Sequence, residues 1–245
     1  MLVDWGAPSP EDRDLDLAGH VERLLLPLLD TLESPPILVG YCLGGTLALA
    51  AGAALDAAGR PARAVAAIAA PWRFSGYDDG FRAEARRIWD GAKPVCETLG
   101  QVPMEVLQTG FWSLDPARTV SKYAAFADME EASAAYHAFI TLEDWANAGA
   151  PLTLAAGRDL VERCYGEDQP GTGTWWVAGT IAAPEALSCP TLAIASTTDR
   201  IVPSAATPPL RERIDLALGH VGMMVGGRAE TALFRPLADW IARHS

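Results

Sequence analysis

The chain has 245 residues, half of them apolar and a fifth charged, an ordinary balance for one globular core with room for an insertion. Its net charge of −12, with Lys93 and Lys122 the only lysines and no basic run, argues against a nucleic-acid partner and gives no help in holding a polyanionic ligand. The four cysteines, Cys42, Cys96, Cys164 and Cys189, form no Cys-x-x-Cys pair, which disfavours zinc-ribbon and thioredoxin-like chemistry, and no metal site is expected.

The first twenty residues carry many acids and no apolar leader, and the apolar stretches are broken by Gly, Pro or charge well short of a membrane span. These features predict a cytoplasmic protein with reduced thiols, in which Cys96, Cys164 and Cys189 are buried or incidental. Met1 to Gly6 reads as the end of a strand. Residues 16–32 place Leu17, Val21, Leu24, Leu25, Leu28, Leu29 and Leu32 at helical spacing, with Pro27 expected to bend or shorten that helix. Ser34-Pro35-Pro36 then punctuates before an apolar strand, Ile37-Leu38-Val39-Gly40-Tyr41.

That strand runs into Gly40-Tyr41-Cys42-Leu43-Gly44-Gly45, a nucleophile-elbow pattern with Cys in place of Ser. Gly40, Gly44 and Gly45 are expected to leave room for a tight turn where backbones approach closely. A helix over 46–58, closed by Gly59, would aim its positive end at the Cys42 thiol. Residues 64–70 form a short buried strand stopped by Pro71, so strand, helix and strand alternate as in a parallel sheet wrapped by helices.

From about 75 to 187 the alternation stops. Helix-like patches occur at 81–89, 104–107, 120–126, 132–141 and 153–165, and six of the eight tryptophans lie between Trp72 and Trp176. A long aromatic helical insertion of this kind reads as a cap that gates a site, or as a helical subdomain apart from it. The sheet pattern resumes with a strand at 190–196, a turn through Asp199, a short strand within 211–218, and then Gly219-His220-Val221-Gly222. Residues 230–244 carry Leu233, Phe234, Leu237, Trp240 and Ile241 on one helical face.

The expected division is therefore a core of residues 1–74 and 188–245 and a helical cap of residues 75–187. Cys42, Asp199 and His220 each follow a strand end, in the chain order of an α/β-hydrolase triad. His220 would move the thiol proton and Asp199 would fix the imidazole tautomer. Taken singly, Asp199 could be a turn residue and His220 a surface-loop histidine; the combination is the specific signal.

The boxes Gly40-Tyr41-Cys42-Leu43-Gly44-Gly45-Thr46, Asp199-Arg200-Ile201-Val202-Pro203 and Gly219-His220-Val221-Gly222 resemble those of polyhydroxyalkanoate synthases, as does Val3-Asp4-Trp5-Gly6. The resemblance covers nearly the whole chain, closely at the boxes and loosely through the cap. It implies an α/β-hydrolase fold with a mostly parallel, N-terminally truncated sheet and a mainly helical cap. It also implies transfer of (R)-3-hydroxyacyl groups from coenzyme A, with hydroxyacyl-CoA as substrate, no cofactor, and a polyester chain as the growing partner. Cys42 would carry the acyl group, His220 act as base and Asp199 orient it. The N–H of Leu43 would be one oxyanion donor. Alternatives with the same residues are a thioesterase or polyester hydrolase, or a non-catalytic synthase-like partner at a polymer-granule surface.

The pattern departs from the family in three ways. The synthases are longer, their cap carries a Trp-Asn-Gly-Asp-type box where this chain has Trp145-Ala146-Asn147-Ala148-Gly149, and Arg200 stands where they usually have His. The loop supplying the second oxyanion N–H in this fold precedes the elbow strand and is expected to be missing, which would cost roughly a hundredfold in turnover. A second copy or a partner chain completing the exposed edge of the sheet is one expected remedy.

Overall fold

The computed structural model describes residues 1–245, the side chain of Arg118 excepted. Its main sheet has four strands, β1 (Ile37–Tyr41), β2 (Ala64–Ile68), β3 (Thr191–Ser196) and β4 (Glu212–Leu216), in that spatial order and all parallel. The register sets Tyr41 opposite Ile68, Ile68 opposite Ile194 and Ser196 opposite Leu216, so every strand ends on one rim. β2 and β3 are buried throughout, whereas β1 and β4 are edges; Val39 on β1 is 43% exposed.

Helices follow in chain order: α1 (residues 17–29), α2 (Leu43–Ala57), α3 (Asp79–Leu99), α4 (Met104–Ser113), α5 (Pro116–Ala127), α6 (Ala134–Asn147), α7 (residues 154–166), α8 (His220–Val225) and α9 (residues 230–244). Alternation along β2 sends Val65 and Ala67 to one face and Ala64, Ala66 and Ile68 to the other. The first face packs on Leu17 and Val21 of α1 and Leu47, Leu49 and Ala53 of α2. The second packs on Met223 of α8 and Leu233, Leu237 and Trp240 of α9. A fully buried leucine such as Leu49 contributes about 1.5–3 kcal/mol by leaving water. Helices on both faces of this parallel sheet give the α/β architecture expected from the alternation.

Pro27 does not end α1. The helix instead widens to π geometry over His20–Leu25, directly ahead of the proline. α9 repeats the device, with a π segment Glu230–Phe234 before Pro236. A proline ring collides with the carbonyl four residues back, and a widened turn relieves that collision. α3 likewise passes through Pro94 and runs to Leu99, ten residues beyond the apolar patch seen in the sequence; Gly100 closes it at φ 73°.

Residues 1–9 take no strand conformation, contrary to the expectation for Met1 to Gly6. Val3 to Pro8 instead border a cavity of about 500 Å³ whose other walls include Leu43, Gly44 and Leu47. Between 75 and 187 two two-residue antiparallel pairings occur, Gln101–Val102 with Leu152–Thr153 and Trp176–Val177 with Thr180–Ile181, too short to be read from periodicity. Ala156, Cys164, Trp175, Val177 and Leu187 join the main core, while α4 and α6 bury none of their residues. α5 and α6 meet through stacked rings, Phe126 on Phe139 at 4.3 Å and Phe126 on Tyr136 at 4.9 Å.

Candidate active site

Cys42 sits between the last residue of β1 and the first of α2, with φ 53° and ψ −132°. A non-glycine residue holds such a conformation only when its surroundings over-determine it. Here the Cys42 N–H donates to the Ile68 carbonyl at 2.9 Å, tying the turn to β2. A Cβ on Gly40 would come within 2.3 Å of the Gly44 carbonyl oxygen, and one on Gly45 within 2.5 Å of Ala70 Cβ. Gly44 differs from the expectation: a Cβ there would meet nothing within 4 Å. The close crossing of β1 and α2 rests on Gly40 and Gly45, and Gly44 faces the cavity beside the elbow. Leu43 opens α2, so its N–H belongs to the first turn, which has no intrahelical acceptor.

Asp199 and His220 follow β3 and β4, whose ends lie on the same rim. Asp199 Oδ1 accepts the Ile201 and Val202 N–H groups at 2.7 and 3.0 Å, and Oδ2 accepts from His220 Nδ1 at 2.6 Å. The Asp199 side chain is fully buried and that of His220 is 8% exposed. The carboxylate is thus oriented by the backbone before it orients the imidazole. Burial, the largest single influence on His220, disfavours the charged ring. The Asp199 hydrogen bond, then the nearby Cys42 side chain and the Asp199 charge, outweigh it and push the ring up to about 9. Asp199 and His220 are thus joined directly, and Cys42 is near enough to act on the His220 ring.

Tyr41 was not legible as part of this site. Its ring lies 4.8 Å from the His220 ring, and its hydroxyl donates to the His220 carbonyl at 3.2 Å. Burial pushes its phenol far above the usual tyrosine range, so it stays protonated and acts as a support. A tyrosine before the nucleophile carries no signal until the loop after β4 is folded over it.

A cleft of about 590 Å³ opens between this rim and α4 to α6. His220, Asp199 and Tyr41 line it below, and Phe111, Trp112 and Trp145 above. Cys42 is not among the described residues lining it, whereas His220, which Cys42 influences, is. Arg200 pairs with Asp115 across the cleft, and Lys122 with Glu143 at 2.8 Å, so two cations of the wall face carboxylates. Among the described residues no His, Cys, Asp and Glu cluster suits a metal ion. Cys96, Cys164 and Cys189 are buried free thiols, and no helix is long and apolar enough to cross a membrane.

No protein-family model matches the chain. The poly(3-hydroxyalkanoate) polymerase subunit of Haloferax mediterranei is 26% identical over 258 aligned positions, covering 100% of this chain and 52% of the relative. That of Haloarcula marismortui is 24% identical, covering 100% and 54%, and that of Allochromatium vinosum 25%, covering 98% and 70%. The chain thus spans about half the length of the two haloarchaeal relatives. Among solved structures, the epoxide hydrolase of Bacillus megaterium superposes with a TM-score of 0.55 at 12% identity, over 98% of this chain and 78% of that one. The monoacylglycerol lipase of Paleococcus ferrophilus gives 0.52 at 13%, over 95% and 77%. The fold is that of the α/β-hydrolases, and the sequence is similar along its whole length to polyhydroxyalkanoate polymerase subunits.

Proposed function

We propose that this chain is an acyltransferase of the polyhydroxyalkanoate synthase kind, moving (R)-3-hydroxyacyl groups from coenzyme A through Cys42, Asp199 and His220. One observation carries the assignment: the Asp199–His220 pair at 2.6 Å beside a cysteine held at φ 53° on a strand-to-helix turn. The reading is supported by the three residues following β1, β3 and β4, whose ends share one rim of the sheet.

In the first step Cys42 Sγ attacks the thioester carbonyl and His220 holds the thiol proton. The carbonyl electron pair moves to oxygen, where the Leu43 N–H stabilises it. The pair returns as the carbon–sulfur bond to coenzyme A breaks, and His220 passes its proton to the leaving sulfur. One thioester replaces another, so little free energy is lost. In the second step the hydroxyl of a monomer or growing chain attacks the acyl-Cys42 carbonyl. His220 takes the hydroxyl proton, an ester forms, and the proton returns to the Cys42 sulfur. Asp199 keeps Nδ1 as the bonded nitrogen through both steps. Water in place of the hydroxyl gives hydrolysis, and residues 75–187, the cap, would keep it out over the core of 1–74 and 188–245.

The free edge of β1 is where a second copy or a partner chain would complete the sheet. The setting would be the cytoplasm or a polymer-granule surface, with no cofactor beyond the acyl-CoA substrate. The test is coenzyme A release from 3-hydroxybutyryl-CoA with product analysis. Expected are oligomeric ester from the wild type, no release with Cys42→Ala, and a loss of about 10⁴-fold with Asp199→Asn. Free hydroxyacid as the main product would make it a hydrolase, and unchanged release by Cys42→Ala would refute the assignment.

A further inference from the structure

The loop that follows β2 lies between the loops bearing Cys42 and Asp199, because β2 lies between β1 and β3. It forms a helical turn, Phe74–Gly76, and leads into Tyr77. Tyr77 is 5% exposed, yet among the described residues its hydroxyl has no hydrogen-bond partner. The Tyr165 phenol is close enough to act on it but the two form no well-aligned bond. An unsatisfied buried hydroxyl costs stability, and tyrosines in cores normally find an acceptor.

The loop is also held rigidly. The Asp168 carboxylate accepts the Phe74 and Ser75 N–H groups at 2.7 and 3.1 Å. Gly76 packs so closely on Ala205 that a Cβ would lie 2.5 Å from the Ala205 carbonyl carbon. The Trp72 and Arg73 N–H groups both donate to the Ala206 carbonyl, binding this loop to the one that carries Asp199. Tyr77 stacks on Phe81 at 5.5 Å and meets Tyr165 edge-on at 5.0 Å, so its ring cannot swing away. Cys42, Phe81 and Tyr165 pack against the core cluster that contains Tyr77.

We propose that the Tyr77 hydroxyl is a catalytic hydrogen-bond donor to the oxygen of the acyl group that forms on Cys42, the acceptor it lacks in the free protein. The proposal rests on the acyl-transfer assignment above. As the Cys42 sulfur–carbon bond forms, the carbonyl electron pair moves to oxygen and the Tyr77 O–H bond to that oxygen strengthens. As the bond to the leaving sulfur breaks, the pair returns; Tyr77 gives up no proton, and His220 supplies the one the sulfur needs. Burial first, then Tyr165, then the charges of Cys42 and Asp199 push the Tyr77 phenol far above its ordinary range, which keeps it a donor. A fixed donor on the loop adjacent to the elbow would supplement the Leu43 N–H and need no reorganisation during reaction.

The test compares wild type, Tyr77→Phe and Cys42→Ala in three measurements. These are single-turnover acylation of Cys42 by 3-hydroxybutyryl-CoA, alkylation of Cys42 by iodoacetamide, and thermal unfolding. Expected for Tyr77→Phe is acylation slower by about 10²-fold, alkylation at the wild-type rate, since no carbonyl oxygen is involved, and a Tm equal to or above wild type. Acylation within about threefold of wild type, or a lowered Tm with slowed alkylation, would overturn the proposal by making the hydroxyl dispensable or structural. Wild type that alkylates but never acylates would instead refute the acyl-transfer assignment, and the proposal with it.

Discussion

At the scale of single residues, two buried groups whose proton release falls between about pH 4 and 9, Asp159 and His220, hold their protons more tightly in the fold than outside it. His220 is pushed up to about 9 by partners that outweigh its burial, and burial with a neighbouring Asp16 pushes Asp159 up to about 6 against Arg163 and the Leu17 N–H. Both shifts are upward, so each contributes stability that is present below its unfolded value and lost as pH rises through the folded one. Stability should therefore fall between about pH 4 and 6 through Asp159 and between about 6.5 and 9 through His220. Urea unfolding across pH checks this: Asp159→Asn should flatten the lower window alone and His220→Gln the upper alone. A wild-type profile flat from pH 4 to 9 would contradict it. The sequence shows Asp199 and His220 through their order after strands, whereas Asp159, Tyr41 and Tyr77 carry no such mark. Their roles come from burial and from partners up to 179 positions away, as in the Tyr41 bond to His220.

At the scale of elements, the elbow was legible because its demand is local: a strand, a turn without side chains, a helix. Even there the three glycines are not equivalent. Gly40→Ala should destabilise by about 3 kcal/mol or more, the upper range of overpacking, since its methyl would meet backbone at 2.3 Å. Gly44→Ala meets open space and should stay within about 1 kcal/mol of wild type, with a helical-propensity gain on its side. Chemical denaturation separates the two, and equal losses would mean that Gly44 also bears on the crossing. The π segments of α1 and α9 and the passage of α3 through Pro94 were not legible. Proline marks a disturbance in a helical pattern, but tertiary packing decides whether the helix stops or widens. Asp168, whose carboxylate holds the loop before Tyr77, lies in a Gly- and Pro-rich stretch, and its hydrogen bonds fix both.

At the scale of the molecule, the parallel sheet and its covering helices were readable from alternation, and the aromatic insertion from its break in pattern. The insertion divides in a way the sequence hides: residues from 154 onward contribute Ala156, Cys164 and Trp175 to the main core, while α4 and α6 bury nothing. Elements with few buried contacts open first. Hydrogen exchange should therefore be fast in α4 and α6 and slow in α2, whose residues 45–55 are all buried. Uniform protection across the three would contradict a cap able to open over the cleft. Opening matters because the cleft reaches Tyr41, Asp199 and His220.

The central claim is that the sulfur of Cys42 takes the acyl group. Intact-protein mass spectrometry with peptide mapping, after brief exposure to 3-hydroxybutyryl-CoA, tests it most directly. The account predicts one hydroxybutyryl adduct on the peptide that carries Cys42, absent from Cys42→Ala. A wild-type protein that remains unmodified, or that carries the adduct elsewhere, would contradict it.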